Sequence, residues 1–350
     1  MSIKIGSREI GPACPPFVIA EMSGNHNQSL DRALSIVDAA AASGAHALKI
    51  QTYTPETMTL NISTNEFFIS DPKSLWKGKS LYELYGEAMT PWEWHQPIKD
   101  RCEKYGMLFF STPFDSTAVD FLEELNIDFY KIASFENTDI PLIKRVAQTG
   151  KPLIISTGMA SLEELEETVE AAKSAGCKEL ILLKCTSAYP SLPKDANLLT
   201  IQDLRNRFDV EVGLSDHTMG IGVAIASVTL GATVIEKHFT LDRSEGGVDS
   251  SFSMEPAEFK LLVEESKKAW ESLGRVSYER TEAETKSLIF RRSLYIAEDM
   301  KAGEVLTTKN LRTIRPGFGL PPKHYESLLG KKINKDTKKG TPVSFELILN

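Results

Sequence analysis

Short apolar runs of four to seven residues recur along the first 240 positions of this chain, and stretches with helical spacing separate them. The runs are Phe17-Val-Ile-Ala, Ala47-Leu-Lys-Ile-Gln-Thr, Met107–Thr112, Phe129–Ser134, Pro152–Thr157, Leu180–Thr186, Val210–Ser215 and Thr233–His238. Their length and β-branched content suit strands buried on both faces. Between and after them the spacing predicts helices over Leu30–Ser43, Pro91–Tyr105, Ser116–Leu125, Ile140–Thr149, Leu162–Ala175, Leu198–Phe208, Ile221–Leu230 and Pro256–Leu273. Strands alternating with helices imply a parallel sheet. Eight such units within about 270 residues predict a closed (β/α)8 TIM barrel. An open doubly wound sheet is the alternative, but no Gly-rich dinucleotide fingerprint follows the first strand.

Two stretches break the rhythm. Residues 55–90 are polar and aromatic, and too long for an ordinary connection, so they read as a partly helical insertion beside a site. After residues 1–274 comes a charged stretch, 275–290, read as a linker. Residues 291–350 then carry short β-like pieces, Ser293-Leu-Tyr-Ile and Leu311-Arg-Thr-Ile, between Gly-containing turns. They predict a small β-rich module, marginal on its own.

Every strand ends in polar groups: Glu21; Lys49 and Gln51; Ser111 and Thr112; Lys131 and Ser134; Ser156 and Thr157; Lys184, Thr186 and Ser187; Ser215 and His217; Lys237 and His238. In a barrel these ends converge on the face that carries active sites. Buried ammonium groups need compensation. Lysines among hydroxyls therefore predict a small phosphorylated anion, unless they pair with Glu21, Glu136 or Asp216. Two histidines ending neighbouring strands, with Glu21 as a further oxygen donor, predict a catalytic divalent cation with open positions. The donor types suit Mn²⁺ or Mg²⁺, with Zn²⁺ or Co²⁺ possible. His26 either orients a substrate or shapes its own loop.

Composition narrows the class further. The 350 residues are 41% hydrophobic and 25% charged, as in globular proteins. No apolar run reaches the roughly 18 residues of a membrane span. The start of the chain lacks a signal-peptide core. Cys14, Cys102, Cys177 and Cys185 form no metal or redox spacing, which predicts reduced thiols in the cytoplasm. The net charge of −8 argues against nucleic acid as a partner. Residues 291–350 nevertheless hold 12 basic against 6 acidic side chains, which suggests electrostatic docking within the chain or onto a second subunit.

Several of these segments together resemble the sialic acid synthase family. They are Glu21-Met-Ser-Gly-Asn-His-Asn, Lys49-Ile-Gln-Thr, Phe129–Glu136, Ser156-Thr-Gly, Lys184–Pro190, Gly213–Thr218 and Ile235-Glu-Lys-His-Phe. Residues 291–350 resemble that family's antifreeze-like (SAF) domain. The resemblance implies condensation of phosphoenolpyruvate with an N-acetylated amino sugar. Ser80–Tyr85, Thr90–His95 and Ile314–Leu320 resemble the branch that uses 2,4-diacetamido-2,4,6-trideoxy-L-altrose. It further implies that His217 and His238 bind the metal, and that Lys49, Thr112, Lys131, Ser134, Ser156 and Ser215 hold phosphoenolpyruvate. Ser187 stands where the sialic acid branch has Asn. Glu21, Gln51, Glu136, Tyr189 and Asp249 would face the sugar or a bound water, with Glu21 or Glu136 moving protons. Arg315 would reach a sugar acyl group across a domain-swapped homodimer. A Schiff-base aldolase using Lys131 or Lys184, and a non-catalytic carbohydrate-binding protein, are the competing classes.

Overall fold

The computed structural model describes residues 2–6, 8–72 and 74–349. A two-stranded antiparallel hairpin comes first, β1 (Ile3–Ile5) and β2 (Arg8–Ile10). Eight parallel strands follow: β3 (Phe17–Glu21), β4 (Ala47–Thr52), β5 (Leu108–Pro113), β6 (Tyr130–Ile132), β7 (Leu153–Ser156), β8 (Leu180–Cys185), β9 (Glu211–Ser215) and β10 (Val234–His238). β10 pairs with β3, so the sheet closes into the predicted barrel.

The barrel helices are α1 (Leu30–Ala42), α4 (His95–Lys104), α5 (Ser116–Glu124), α6 (Ile140–Ala147), α7 (Leu162–Ser174), α8 (Thr200–Phe208), α9 (Gly222–Thr229) and α10 (Pro256–Leu273). Two short helices, α2 (Pro55–Met58) and α3 (Leu81–Ala88), lie in the insertion after β4. Local chemistry starts these helices where it should. The Ser29 hydroxyl accepts the Arg32 N–H, Asp115 accepts from Thr117 and Ala118, and Ser161 forms a capping box with Glu164. The helix expected from Pro91 opens instead with a 3-10 turn over Trp92–Trp94.

Strand alternation divides the core in two. Val18, Leu48, Tyr130, Ile155, Leu182, Val212 and Ile235 face outward and pack against the helices. Phe17, Ile19, Ala47, Phe110, Phe129, Ile154, Leu183 and Val234 fill the barrel interior together with Ile3, Ile5 and Ile10 of the hairpin. The hairpin was not legible as strands, because each strand is only three residues long. Its isoleucines supply apolar volume to the barrel's interior cluster.

The chain divides into two compact units, Met1–Gly274 and Arg275–Asn350. In the second, α11 (Glu282–Lys286) and a 3-10 turn (Ser287–Phe290) occupy the stretch read as a linker. β11 (Ser293–Ile296) and β12 (Leu311–Ile314) pair antiparallel. Their core gathers Leu294, Ile296, Met300, Leu306, Leu311, Leu328, Ile333 and Val343. Among the described residues no helix is long and apolar enough to cross a membrane.

Candidate active site

Towards the C-terminal strand ends the interior face turns from apolar to polar. Glu21, Lys49, Lys131, Ser156, Ser215 and Glu236 are all nearly fully buried and line a cavity of about 420 Å³. Gln51, Ser134, Glu136, Ser187, Tyr189, His217, His238 and Asp249 line it too. Of the barrel residues to which the family resemblance gives a role, only Thr112 stays out of the lining. Its hydroxyl instead accepts a hydrogen bond from Lys49 Nζ at 3.2 Å.

The two cavity lysines are not free cations. Lys49 Nζ lies 2.8 Å from Glu21 Oε2 and 3.9 Å from Glu236 Oε1. Lys131 Nζ lies 3.5 Å from the same Glu236 oxygen, to which the Ser215 hydroxyl donates at 3.1 Å. Burial pushes Glu21 above the usual carboxylate range despite Lys49. Burial also opposes the Glu236 charge, but Lys131 and Lys49 outweigh it and hold this carboxyl below its usual range. Lys131 is drawn down by burial, partly offset by Glu236. A bound anion can therefore draw on both ammonium groups while Glu21 takes up a proton. Lys184 and Lys237 leave the expected lysine cluster, because alternation turns both outward. Lys184 Nζ donates to the Cys185 carbonyl at 2.8 Å, and Lys237 pairs with Asp216.

Hydroxyls gather beside the lysines. The Gly158 N–H donates to Ser134 Oγ at 3.2 Å. A Cβ on Gly158 would lie 2.2 Å from Ser187 Oγ and 2.6 Å from Ser134 Oγ, so only glycine lets this loop approach them. Asn137 Nδ2 donates to the carbonyls of Ser156 (3.2 Å) and Gly158 (3.0 Å), fixing the loop from beneath. Ser156 Oγ is buried without a partner. An unpaired buried hydroxyl lining the same cavity as two ammonium groups is suited to an incoming oxyanion.

The imidazoles stand close together, with His217 and His238 ring centroids 5.3 Å apart. His217 Nδ1 donates to the Thr186 carbonyl at 3.1 Å, which leaves Nε2 as an acceptor. Burial, then the cationic neighbours His217, Lys49 and Lys131, hold His238 well below its ordinary value. His238 Nδ1 is buried without a hydrogen bond, 3.8 Å from Asp249 Oδ2. Burial opposes the His217 charge, but Cys185 and the Thr186 carbonyl outweigh it and hold this imidazole above its ordinary value, whereas His238 is held neutral. A pair of rings this close, one braced by a carbonyl and one with an orphaned nitrogen, fits a divalent cation, which would displace the His217 proton. Glu21, the expected third donor, is engaged by neighbours in this structure. Its oxygens are taken by Lys49 and by Gln51 Nε2 (3.0 Å), and Asp249 is the carboxylate beside His238. Among the described residues no group of three or more His, Cys, Asp or Glu side chains is arranged to hold a metal ion.

Glu136 closes one side. Burial raises its carboxyl to about 7, against the pull of Lys131. Opposite the charges, the insertion supplies an apolar wall of Met58, Ile69, Trp76, Leu81, Leu84 and Tyr85, with Tyr53 and Phe114 from the strand ends. Tyr53 packs edge-on against both Tyr85 and Phe114. The Trp76 indole N–H donates to the Val248 carbonyl at 3.0 Å and ties the insertion to the loop after β10.

His26 is outside the cavity. Its ring accepts the Gln28 N–H and meets the Thr90 hydroxyl, so it shapes its loop. Arg315 lies in the second unit and is exposed. Sequence reasoning overlooks Glu236, although the signal was present two positions before His238 on the same strand. Ser23, whose hydroxyl donates to Asp249, and Gly158 lie within the quoted motifs without being singled out, and Asn137 carries no comparable signal.

Comparison with known proteins identifies the family. Residues 36–278 match the NeuB family and residues 291–349 match the SAF domain. The chain belongs to the NeuB family. It is 46% identical over 324 residues to a pseudaminic acid synthase of Campylobacter jejuni subsp. jejuni, covering 93% of this chain and 94% of the relative. To an N,N'-diacetyllegionaminic acid synthase of the same subspecies the identity is 36%, covering 92% and 97%. A crystal structure of N-acetylneuraminic acid synthetase from Leptospira borgpetersenii serovar Hardjo-bovis, in complex with citrate, superposes with a TM-score of 0.73. It shares 34% identity and covers 82% of this chain and 95% of that one.

Proposed function

We propose that this chain is a pseudaminic acid synthase, condensing phosphoenolpyruvate, 2,4-diacetamido-2,4,6-trideoxy-L-altrose and water to pseudaminic acid and phosphate. One observation carries the reading. A single cavity joins a buried lysine–serine end, suited to a phosphorylated carboxylate, to an apolar wall suited to acetyl methyl groups and a deoxy C6. The higher identity to the pseudaminic acid synthase than to the legionaminic acid enzyme supports the same branch.

Lys49, Lys131, Ser134, Ser156, Ser187 and Ser215 would hold the carboxylate and phosphate, with Thr112 bracing Lys49. Gln51, Tyr189 and Asp249 would orient the open-chain sugar. His217 and His238 would hold a divalent cation, which supplies Lewis-acid polarisation when bound. Mn²⁺ and Mg²⁺ suit this donor set. The methylene carbon of phosphoenolpyruvate bonds to the sugar's aldehyde carbon, whose oxygen gains a proton. Water adds to the phosphate-bearing carbon and loses a proton. The C–O bond to phosphate then breaks as the new hydroxyl gives its proton to the departing phosphate, leaving the keto group of the product. Glu136, near neutrality in its proton affinity, and Glu21, raised by burial, are the carboxyls able to hold these protons. The lysines stabilise charge as it moves between carboxylate and phosphate.

Arg315, exposed on a basic module, would meet the sugar's acyl group in a homodimer. Light scattering of the full chain checks that association. The products would serve surface glycans made from cytoplasmic precursors. The deciding experiment measures phosphate release from phosphoenolpyruvate with the altrose derivative, N-acetylmannosamine and the legionaminic acid precursor in parallel. Preference for the altrose derivative is expected. Preference for N-acetylmannosamine overturns the branch, and no release with any sugar points to a binding protein.

A further inference from the structure

The structure assigns Asp216 and Lys237 a positioning role: they form a buried clamp behind the barrel wall that fixes the spacing of His217 and His238. This rests on reading those imidazoles as cation ligands. β9 and β10 are in register with Ser215 opposite Glu236. Continuing that register puts Asp216 opposite Lys237 and His217 opposite His238. Alternate residues on a strand point to opposite faces. The His–His pair is therefore inside, and the Asp–Lys pair is directly behind it.

Loops brace each histidine's backbone separately, since the Ser191 N–H donates to the His217 carbonyl and the Met254 N–H to the His238 carbonyl, but the ladder between the two strands stops short of both. The last ladder bond between the two strands runs from the Asp216 N–H to the Glu236 carbonyl, at 2.9 Å. His217 and His238 both lie beyond it. There the side chains take over. Lys237 Nζ donates to Asp216 Oδ2 at 2.8 Å, to the Thr218 carbonyl at 2.6 Å and to the Gly220 carbonyl at 3.1 Å. All three ammonium protons are thereby used. Asp216 Oδ1 accepts the Thr218 N–H at 2.9 Å, so the carboxylate is also engaged on both oxygens. Both side chains are essentially inaccessible to solvent. A buried pair of this kind gains little stability over an apolar pair, and its best-attested use is to fix one geometry. The geometry it fixes is the turn carrying His217 against the strand end carrying His238.

Titration of the full-length protein with Mn²⁺, followed by the electron paramagnetic resonance signal of the free ion, tests the clamp. Wild type is expected to bind Mn²⁺. Lys237→Met should weaken that binding by about 10–100-fold, the usual loss when a group supporting a metal ligand is removed. The activation constant for Mn²⁺ should rise in parallel, while KM for phosphoenolpyruvate at saturating Mn²⁺ changes by less than about twofold; a general loosening of the barrel would raise both. Asp216→Asn/Lys237→Met leaves no buried charge and guards against misfolding of the single variant. The same loss of affinity is expected from it. Wild-type Mn²⁺ affinity in either folded variant overturns the clamp. Failure of the wild type itself to bind Mn²⁺ overturns the cation reading beneath it.

Discussion

The cavity has two working edges, built in different ways. On the β9–β10 edge, Ser215 and His238 end their strands, Glu236 lies within β10 and His217 follows β9 by two residues, and strict alternation aims all four inward. On the β6–β8 edge, Ser134 and Ser187 come from loops, and Ser156 ends its strand. There the hydroxyls converge because Gly158 lacks a Cβ and Asn137 ties down two carbonyls. One edge is positioned by periodic backbone, and the other by close approach. The first should tolerate changes in neighbouring loops but lose its chemistry with a single side chain. The second should be sensitive to one methyl group.

The largest effect is expected on the strand-built edge. His217→Ala and His238→Ala should each lower kcat by at least about a thousandfold, the loss expected when Lewis-acid stabilisation worth several kcal/mol disappears. Far-UV circular dichroism should stay that of the wild type, because neither ring belongs to either apolar cluster of the barrel. Retention of turnover in either variant would remove the imidazoles from the mechanism. Gly158→Ala should act on the loop-built edge with a smaller loss. Its methyl group would press on Ser134 and Ser187, which must move. KM for phosphoenolpyruvate should rise by about 10–100-fold, the scale of a misplacement near 1 Å. The KM for the sugar should move much less. An equal rise in both would mean that the two serines are not an anion site.

The same contrast explains what could be read from the chain alone. The barrel was legible because eight apolar runs and their intervening helices repeat at regular spacing, and period-2 alternation assigns inner and outer faces. His217 and His238 were legible for the same reason. Alternation also sends Lys184 and Lys237 outward, yet a list of polar strand ends counts them with Lys49 and Lys131. Glu236 shows the opposite error: it sits within a strand rather than at its end, although its parity matches His238. Gly158 and Asn137 could not be found this way. Their roles depend on contacts between loops of different strands, which no local period encodes. The hairpin over Ile3–Ile10 was lost because three-residue strands are too short to display a period.

The smallest expected effect separates two carboxyls that share the cavity. Glu236, on the strand-built edge, is held below the usual range because Lys131 and Lys49 outweigh its burial. Glu136, reached through the 3-10 turn after β6, is raised by burial from an ordinary 4.5 to about 7. A folded-state pKa above the unfolded value means that the folded protein binds the proton more tightly. The stability from that proton is fully present below about pH 4.5 and is lost as pH rises through about 7. Glu136→Gln has no proton to lose. Relative to this variant, wild type should therefore lose on the order of 2 kcal/mol between pH 5 and pH 8. Urea unfolding of both proteins across that range measures the difference. For Glu236→Gln the curve should run parallel to wild type across this range, because a depressed pKa makes ionisation favour the folded state and that benefit, complete above about pH 4.5, is lost only as pH falls below it. Parallel curves for wild type and Glu136→Gln would mean that this carboxyl ionises in the folded protein as readily as in the unfolded chain. The loop-built edge would then hold no proton near neutrality, and Glu21 would be left as the cavity carboxyl to carry it.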